Sequence, residues 1–358
     1  MSYQITFTPM PNINITEDSI GIWFSQGYSS QRDLVLTAQE LLRILKNQGI
    51  EQKFHIIASH EQRRPEITDS ADIVLQEPKQ NKIDWVIEQA KKYQVKLLIA
   101  GQNTKQFIQA KARFAEHGIT VLAGMNDIEK LNQINDKSLF TEICQSQNID
   151  VVAASTVHNH EEMQLAYEYW AKQGEVCVKP TQGVFASGFW ILDPQASPFA
   201  AFANSQNFRV HPQTFIDSYA KLDNPPAYLV MPFLEALECS VDMFCINGRI
   251  QSAVARYKHE GDYQSLHLDD PAIDLAREVV NLFGCDGLVN LQARYNDKGQ
   301  LYVLEINARA SGGIGYTFLS GHNIVQHAIC HYLDLPYQSY GDEQNEIIMR
   351  AVSLPLIV

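Results

Sequence analysis

None of the six cysteines in this 358-residue chain sits in a CxxC pair. Zinc ribbons and thioredoxin-type redox motifs both need such pairs. His327, Cys330 and His331 lie close together on an expected helix, but no second ligand pair completes a zinc pattern. Apolar flanks, as in Val176-Cys177-Val178 and Phe244-Cys245-Ile246, read as buried free thiols of a reducing compartment. Cations are also scarce: 28 Lys and Arg face 41 Asp and Glu, for a net charge of -13 and a pI near 5.3. Such a surface repels nucleic acid and anionic lipid, which argues against both as partners. A local cationic cluster can still focus a small anion. No apolar run approaches the ~20 residues that span a bilayer. The start, Met1-Ser2-Tyr3-Gln4-Ile5, lacks the basic and apolar segments of a secretory signal, so a cytoplasmic location is expected. There is no GxGxxG after the first strand, no GxSxG, no Ser-His-Asp arrangement, no internal repeat and no low-complexity segment.

What is present suits a globular enzyme, with 45% hydrophobic and 19% charged residues and length for two or three domains. Up to about residue 125, short apolar runs alternate with amphipathic stretches. Strands are expected at 20–24, 54–58, 72–75, 95–100 and 119–122, and helices at 33–46, 83–92 and 104–117. That alternation indicates a parallel sheet covered on both faces. Ligands of such sheets bind beyond the carboxyl ends of strands, which makes the polar loop 25–32 notable. Its Arg32 is either a substrate contact or a solvated residue at a helix start.

Residues 126–170 read as mostly helical, broken by a short strand at 150–153. Strands at 176–179 and 188–192 form a hairpin, and 195–226 is weakly patterned and partly loop. Strands at 228–234, 239–246 and 249–257 follow, with Asn247-Gly248 as a hairpin turn. A helix at 271–283 ends near Gly284. An antiparallel pair is expected at 288–295 and 301–306, then a helix at 322–333 and an apolar edge strand at 347–356. The fold class is therefore a parallel α/β domain followed by an α+β region on antiparallel sheets.

Three segments carry chemistry. Glu305 and Asn307 are two apart on a strand and share a face, and the hairpin places Gln292 beside them. Three oxygen donors with one formal charge suit Mg²⁺ bound together with phosphates. Arg309, two further along, can meet an anionic reacting group. The spacing equally fits a Glu305–Arg309 pair on a solvated strand. In the second segment, Lys179 ends an apolar strand ahead of Gly183 and Gly188, which let backbone N–H groups approach phosphates; an ordinary hairpin has the same pattern. In the third, Met231, Pro232, Phe233 and Leu234 lead from a strand into acids. The Pro232 carbonyl can accept from an adenine amino group, the Leu234 N–H can donate to the ring, and Glu238 can take ribose hydroxyls. A plain connection between strands with solvated acids fits as well.

In this order and spacing, Lys179-Pro180, the Met231 to Leu234 hinge and the Gln292, Glu305, Asn307, Arg309 run resemble the ATP-grasp superfamily. The resemblance covers about residues 126–335. Its closest look is to the branch of the carbamoyl phosphate synthetase large subunit, and residues 1–125 are similar to the domain that precedes the ATP-grasp unit there.

This resemblance implies a two-lobed ATP-grasp fold with a small lobe at 126–195 and a large lobe at 196–358. It implies ATP and Mg²⁺, with Mn²⁺ as the alternative ion. By position, Lys137 and Lys179 match the two phosphate cations, Gly183 to Gly188 the mobile loop, Met231 to Leu234 the adenine hinge and Glu238 the ribose acid. Gln292, Glu305 and Asn307 match the metal ligands. Arg309, Arg256 and His267 match groups near the transferred phosphoryl, although a surface Arg and a loop His have the same pattern. The loop has fewer glycines than many members, and Pro232 stands near where an acid is frequent.

The implied reaction is ligation of a carboxylate to an amine through an acyl phosphate, with ATP converted to ADP. The partners are then small carboxylate and amine substrates and, as in many relatives, a second copy in a homodimer. The alternatives are acid–thiol or carboxyphosphate chemistry on the same site, or a non-catalytic ATP-binding accessory protein.

Overall fold

The computed structural model describes residues 15, 16, 18–183, 187–199, 208–260, 263–339 and 346–350. Strands β1 (Ile20–Phe24), β2 (Phe54–His60), β3 (Ile73–Gln76), β4 (Val95–Ile99) and β5 (Thr120–Leu122) form a parallel sheet in the order 3-2-1-4-5. Helices cover both faces, which is why the central strands are apolar along nearly their whole length. On one face, α1 (Gln31–Asn47) buries Leu34, Val35, Ala38, Leu41 and Leu45 against Ile22, Phe24 and Ile56. A short helix, α2 (Pro65–Thr68), follows β2. On the other face lie α3 (Lys82–Lys92), α4 (Thr104–Gln109) and α5 (Lys111–Ala115), whose Val86, Phe107 and Phe114 meet Trp23, Ile57 and Leu98. The helix expected over 104–117 is thus two, interrupted where Ala110 adopts φ -98 and ψ 2.

The strand order reverses between β1 and β4, so residues 25–30 and 100–103 flank the crevice where such sheets bind ligands. Here the chain itself closes that crevice. A Cβ on Gly101 would stand 2.5 Å from Gly27 Cα. The buried Gln31 side chain accepts from the Gly27 N–H at 2.9 Å and donates to Phe24 O at 3.0 Å.

Two helices lead away from this sheet, α6 (Ile128–Asn135) and α7 (Lys137–Ser146). The Asp136 carboxylate accepts from the N–H groups of Ser138 and Leu139 at 3.0 and 3.3 Å, which fixes Lys137 as the first residue of α7.

The second sheet joins β6 (Ser155–Val157), β7 (Val176–Pro180), β8 (Trp190–Leu192), β9 (Arg209–Val210) and β10 (Tyr228–Pro232) in the order 6-10-7-8-9, antiparallel except for the β8–β9 pair. The strand expected at 150–153 reduces to a single bridge between Val151 and Val303. The pairing moves to β6 because Ser155 opposes Val230 and its Oγ accepts from Trp170 Nε1 at 3.0 Å. α8 (His160–Trp170) and α9 (Pro212–Tyr219) cover one face with Met163, Trp170, Ile216 and Tyr219. Pro212 begins α9 rather than ending a helix, because the first position needs no N–H. That helix and β9 occupy part of the stretch expected as loop; residues 200–207 lie outside the described ones.

The third sheet is antiparallel. It joins β11 (Glu238–Ile246), β12 (Arg249–Lys258), β13 (Tyr263–His267), β14 (Gly287–Tyr295), β15 (Leu301–Asn307) and β16 (Glu346–Arg350) in the order 15-14-11-12-13-16. Asn247 at φ 46 and Gly248 at φ 77 make the expected β11–β12 turn. β13 falls where a loop was expected. β16 is the expected edge strand, and positions 351–356 of that expectation lie outside the described residues.

One face of this sheet packs on α10 (Pro271–Phe283). Asp270 caps it by accepting from the Ala272 N–H at 2.8 Å, and Gly284 at φ 65 ends it. Ile273, Ala276, Val280 and Phe283 recur at helical spacing and are buried against Val241, Met243 and Ala255. Burial contributes about 1.5–3 kcal/mol for each large side chain. Phe283 also stacks on Phe140 at 5.4 Å, which anchors α7 to this unit. α11 (Ile314–Thr317) and α12 (Ile324–Tyr332) lie toward the opposite face beside α1. Among the described residues no helix is long and apolar enough to cross a membrane.

Candidate active site

Residues directly opposed on neighbouring strands point to the same face. Glu305 on β15 opposes Gln292 on β14, Gln292 opposes Ser240 on β11, and Ser240 opposes Arg256 on β12. One cross-strand row therefore carries an acid, an amide, a hydroxyl and a guanidinium. Asn307 joins that face, two residues beyond Glu305. Its Nδ2 donates to Glu305 Oε1 at 3.2 Å, and its Oδ1 accepts from Arg309 Nη1 at 2.9 Å.

Among the described residues no three His, Cys, Asp or Glu side chains converge. A metal here would be held by one carboxylate and two amide oxygens. The amide oxygen of Asn307 keeps a second lone pair beside its bond to Arg309. This all-oxygen set with one charge fits a hard divalent cation that completes its shell with phosphate and water.

Two lysines face this row from the other elements. Lys137, at the start of α7, places Nζ 3.8 Å from Glu305 Oε2 and donates to Gly183 O at 3.0 Å. Lys179, near the end of β7, donates to Leu304 O at 3.3 Å. Burial pushes the Lys179 amine below its ordinary value; Glu305 opposes this and the nearby Lys137 adds to it. The Lys137 N–H also donates to Thr181 O at 2.9 Å, which ties α7 to the loop after β7. Gly188 adopts φ +76, and a Cβ there would stand 2.7 Å from Pro180 Cγ and 2.9 Å from Tyr228 Oη. Of the expected phosphate loop, residues 184–186 lie outside the described ones.

Lys137, Lys179, Gly183, Gln292 and Glu305 form one end of a cavity of about 480 Å³; Asn307 and Gly188 stand outside its wall. The other end is apolar, walled by Val152, Cys177, Phe189, Ile191, Phe208 and Leu304, and closed by Met231, Pro232, Phe233 and Leu234. The Phe233 N–H is engaged by Glu175 O at 2.8 Å, while the Leu234 N–H forms no hydrogen bond with the described residues. Glu238 lines the cavity and is held by Lys258 and by Arg294 Nη2, the latter at 3.1 Å. Burial pushes the Glu238 carboxyl up, but the two cations outweigh it and keep it below its ordinary value.

Other residues singled out in the sequence also lie outside this wall. Arg309 is not in the cavity wall; its guanidinium stands 5.2 Å from the Tyr28 ring, where the loop after β1 meets the third sheet. Arg256 shares the face but is almost fully buried. Its Nη2 donates to Ser240 Oγ at 3.1 Å and lies 3.6 Å from Asp242 Oδ2, while Nη1 donates to Gln264 Oε1 at 2.9 Å. A Cβ on Gly313 would come within 2.5 Å of that guanidinium, so the turn after Ser311 covers it. Arg256, expected near a transferred phosphoryl, thus shares the face of the row without lining this cavity. His267 does not line this cavity either. It opposes Ala255 and so projects to the face opposite Arg256, with Nε2 on Ser265 Oγ at 2.9 Å and its ring edge-on to Tyr257. Arg32 lies in the first turn of α1 and is not in the wall of the cavity.

Arg294 is the cavity residue that sequence reasoning missed. Its Nη1 donates to Leu234 O at 2.8 Å and its guanidinium lies 5.6 Å from the Phe233 ring. The signal was present, because Arg294 stands two residues beyond Gln292 and so shares its face.

Residues 224–354 match the family model described as ATP-grasp in the biosynthetic pathway with Ter operon. No curated protein matches the sequence. Among solved structures, N5-carboxyaminoimidazole ribonucleotide synthetase in its ADP complex superposes with a TM-score of 0.64 at 14% identity, over 95% of this chain and 83% of that one. Biotin carboxylase from Campylobacter jejuni gives 0.61 at 15% identity, over 90% and 72%. L-amino acid ligase from Bacillus licheniformis gives 0.58 at 12% identity, over 89% and 75%. At these identities the likeness establishes the fold.

Proposed function

The chain carries the ATP-grasp fold, and on that premise we propose that it is an ATP- and Mg²⁺-dependent ligase that activates a carboxylate as an acyl phosphate and joins it to an amine. The observation that carries this reading is the convergence of Lys137, Lys179, Gln292 and Glu305 at one end of a single cavity whose other end is the 231–234 hinge. The similar structures of named ligases support the same class of reaction.

On this reading the apolar end takes adenine, with the Pro232 carbonyl accepting and the Leu234 N–H donating. Lys137 and Lys179 neutralise the phosphates. Gln292, Glu305 and Asn307 would hold Mg²⁺, or Mn²⁺ in its place, which would supply neutralisation of phosphate charge. A carboxylate oxygen of the substrate attacks the γ-phosphorus; that O–P bond forms as the bond to the β–γ bridging oxygen breaks, and ADP leaves. Arg309, outside the cavity wall but bonded to Asn307, would meet the carboxylate from the side of the loop after β1. Residues 183–188 shut water from the acyl phosphate, which would otherwise hydrolyse. The amine then attacks the acyl carbon, loses a proton and expels phosphate.

Residues 1–125 are the leading domain in this account. The small lobe is read at 126–195 and the large lobe at 196–358; β9 and β10 of the latter stretch pair into the second sheet.

The test is ADP release from ATP and Mg²⁺ over a panel of carboxylic acids and amines, with Glu305→Ala as control. ADP formation that needs both an acid and an amine supports the reading. AMP formation, or ADP formation indifferent to the acid, refutes it.

A further inference from the structure

We propose that Arg294 is a positioning residue that makes this site select adenine over guanine, by occupying the Leu234 carbonyl. The inference rests on the reading of the cavity as a nucleotide site. A purine is told apart by the donors and acceptors along one edge. Adenine presents an amino donor at position 6 beside an acceptor at N1; guanine presents an acceptor at O6 beside a donor at N1, with a second donor at the 2-amino group. A hinge that offers one carbonyl and then one N–H fits adenine. A hinge with an additional carbonyl free can turn to guanine.

In this molecule the additional carbonyl is Leu234 O, and it is taken. Arg294 Nη1 donates to it at 2.8 Å. The guanidinium is fixed on two further sides, by Nη2 on Glu238 Oε2 at 3.1 Å and by the Phe233 ring at 5.6 Å. The Phe233 N–H is drawn to Glu175 O at 2.8 Å. Pro232 O, met only by the weak Cys177 thiol donor at 3.8 Å among the described residues, and the Leu234 N–H are left for the base, in the adenine pattern. A guanidinium offers donors only. Guanine's N1–H and 2-amino group are donors too, so Arg294 removes their partner and puts like groups in front of them.

The Arg294 Nε–H is buried with no hydrogen-bond partner in the described structure. Holding an arginine with one donor unpaired costs stability, and packing alone would be served as well by a methionine. The cost is understandable if the two terminal nitrogens do specific work at Leu234 and Glu238.

The test compares dissociation constants of ATP and GTP, each with Mg²⁺, on the wild type, Arg294→Met and Arg294→Lys. The wild type should prefer ATP. Arg294→Met frees Leu234 O, and the ATP-to-GTP preference should fall by about tenfold or more, the worth of one hydrogen bond gained or lost in a closed site. Arg294→Lys retains one donor without the planar fork and should lie between. Both ligands are measured on the same preparation, so an unfolded fraction cancels from the ratio. If Arg294→Met does not fold, the lysine variant carries the comparison.

Loss of affinity for ATP and GTP by one common factor would overturn the proposal, because it would mean a general effect of charge or structure. A wild type that binds ATP and GTP equally overturns it while leaving the ligase reading intact. A wild type that binds neither overturns both.

Discussion

Lys137, the first residue of α7, stands 3.8 Å from the Glu305 carboxylate on β15. The contact joins α7 to β15, while the stacked pair Phe140 and Phe283 anchors α7 to α10. Lys137 thus links the acid of the row, by an ion pair, to the start of the phosphate loop, by its hydrogen bond to Gly183 O.

Lys137→Ala should weaken ATP binding by about 10–100-fold, the worth of a charge-assisted contact. Equilibrium binding of ATP with Mg²⁺ measures it. The unfolding midpoint should barely move, since the side chain's partners belong to the site. Unchanged affinity would remove Lys137 from the phosphate contacts.

The three oxygen donors predict a metal effect. Glu305→Gln should raise the Mg²⁺ concentration for half-maximal nucleotide binding by about 10–100-fold. Gln292→Ala and Asn307→Ala should move it in the same direction. A chelator should abolish turnover of the wild type, and Mg²⁺ or Mn²⁺ should restore it. A titration that superposes for wild type and Glu305→Gln would place the ion elsewhere.

Lys179 gives a pH dependence with a definite sign. Burial lowers its pKa from 10.5, so the free protein loses this charge at a lower pH than an ordinary lysine would. Phosphates favour the charged form, so nucleotide binding takes up a proton once pH exceeds the lowered value. ATP affinity should fall as pH rises, beginning below 10.5, and Lys179→Gln should remove that limb of the profile. A limb that persists in the variant belongs to another group.

Gly124, in the loop after β5, adopts φ +73, and a Cβ there would stand 2.3 Å from Ala308 C. Ala308 sits between Asn307 and Arg309. Gly124→Ala should cost about 1–3 kcal/mol through the left-handed backbone and the clash together. It should lower the urea midpoint without changing the slope. Wild-type stability in the variant would show that this junction yields easily.

Much of the site was legible because strand periodicity is local. The spacing of Glu305 and Asn307 sets their common face, and the Asn296-Asp297-Lys298-Gly299 turn brings Gln292 beside them. What was not legible depends on partners distant in sequence. Tyr263–His267 becomes a strand because β12 and β16 flank it, and neither is visible from its five residues. Read as a loop it has no parity, so the face of His267 stayed undetermined; a register step of one residue turns a side chain to the other side. Arg256 is buried because Ser240 opposes it across β11 and Asp242, two residues along that strand, pairs with it at 3.6 Å, contacts that only the sheet order fixes. Asp242 between Val241 and Met243 hints at a buried cation without saying which. Arg294 repeats the alternation already used for Gln292, but what it does depends on where the hinge runs.

The central claim is phosphorylation of a carboxylate by ATP, and transfer of ¹⁸O tests it most directly. With an acid and amine found in the ADP-release panel, the acid is labelled in both carboxylate oxygens, and the phosphate and nucleotide are analysed by mass after one turnover. The account predicts ADP, phosphate carrying one ¹⁸O, and a product that keeps the other. Label in AMP, or unlabelled phosphate with both labels kept in the acid, would contradict it.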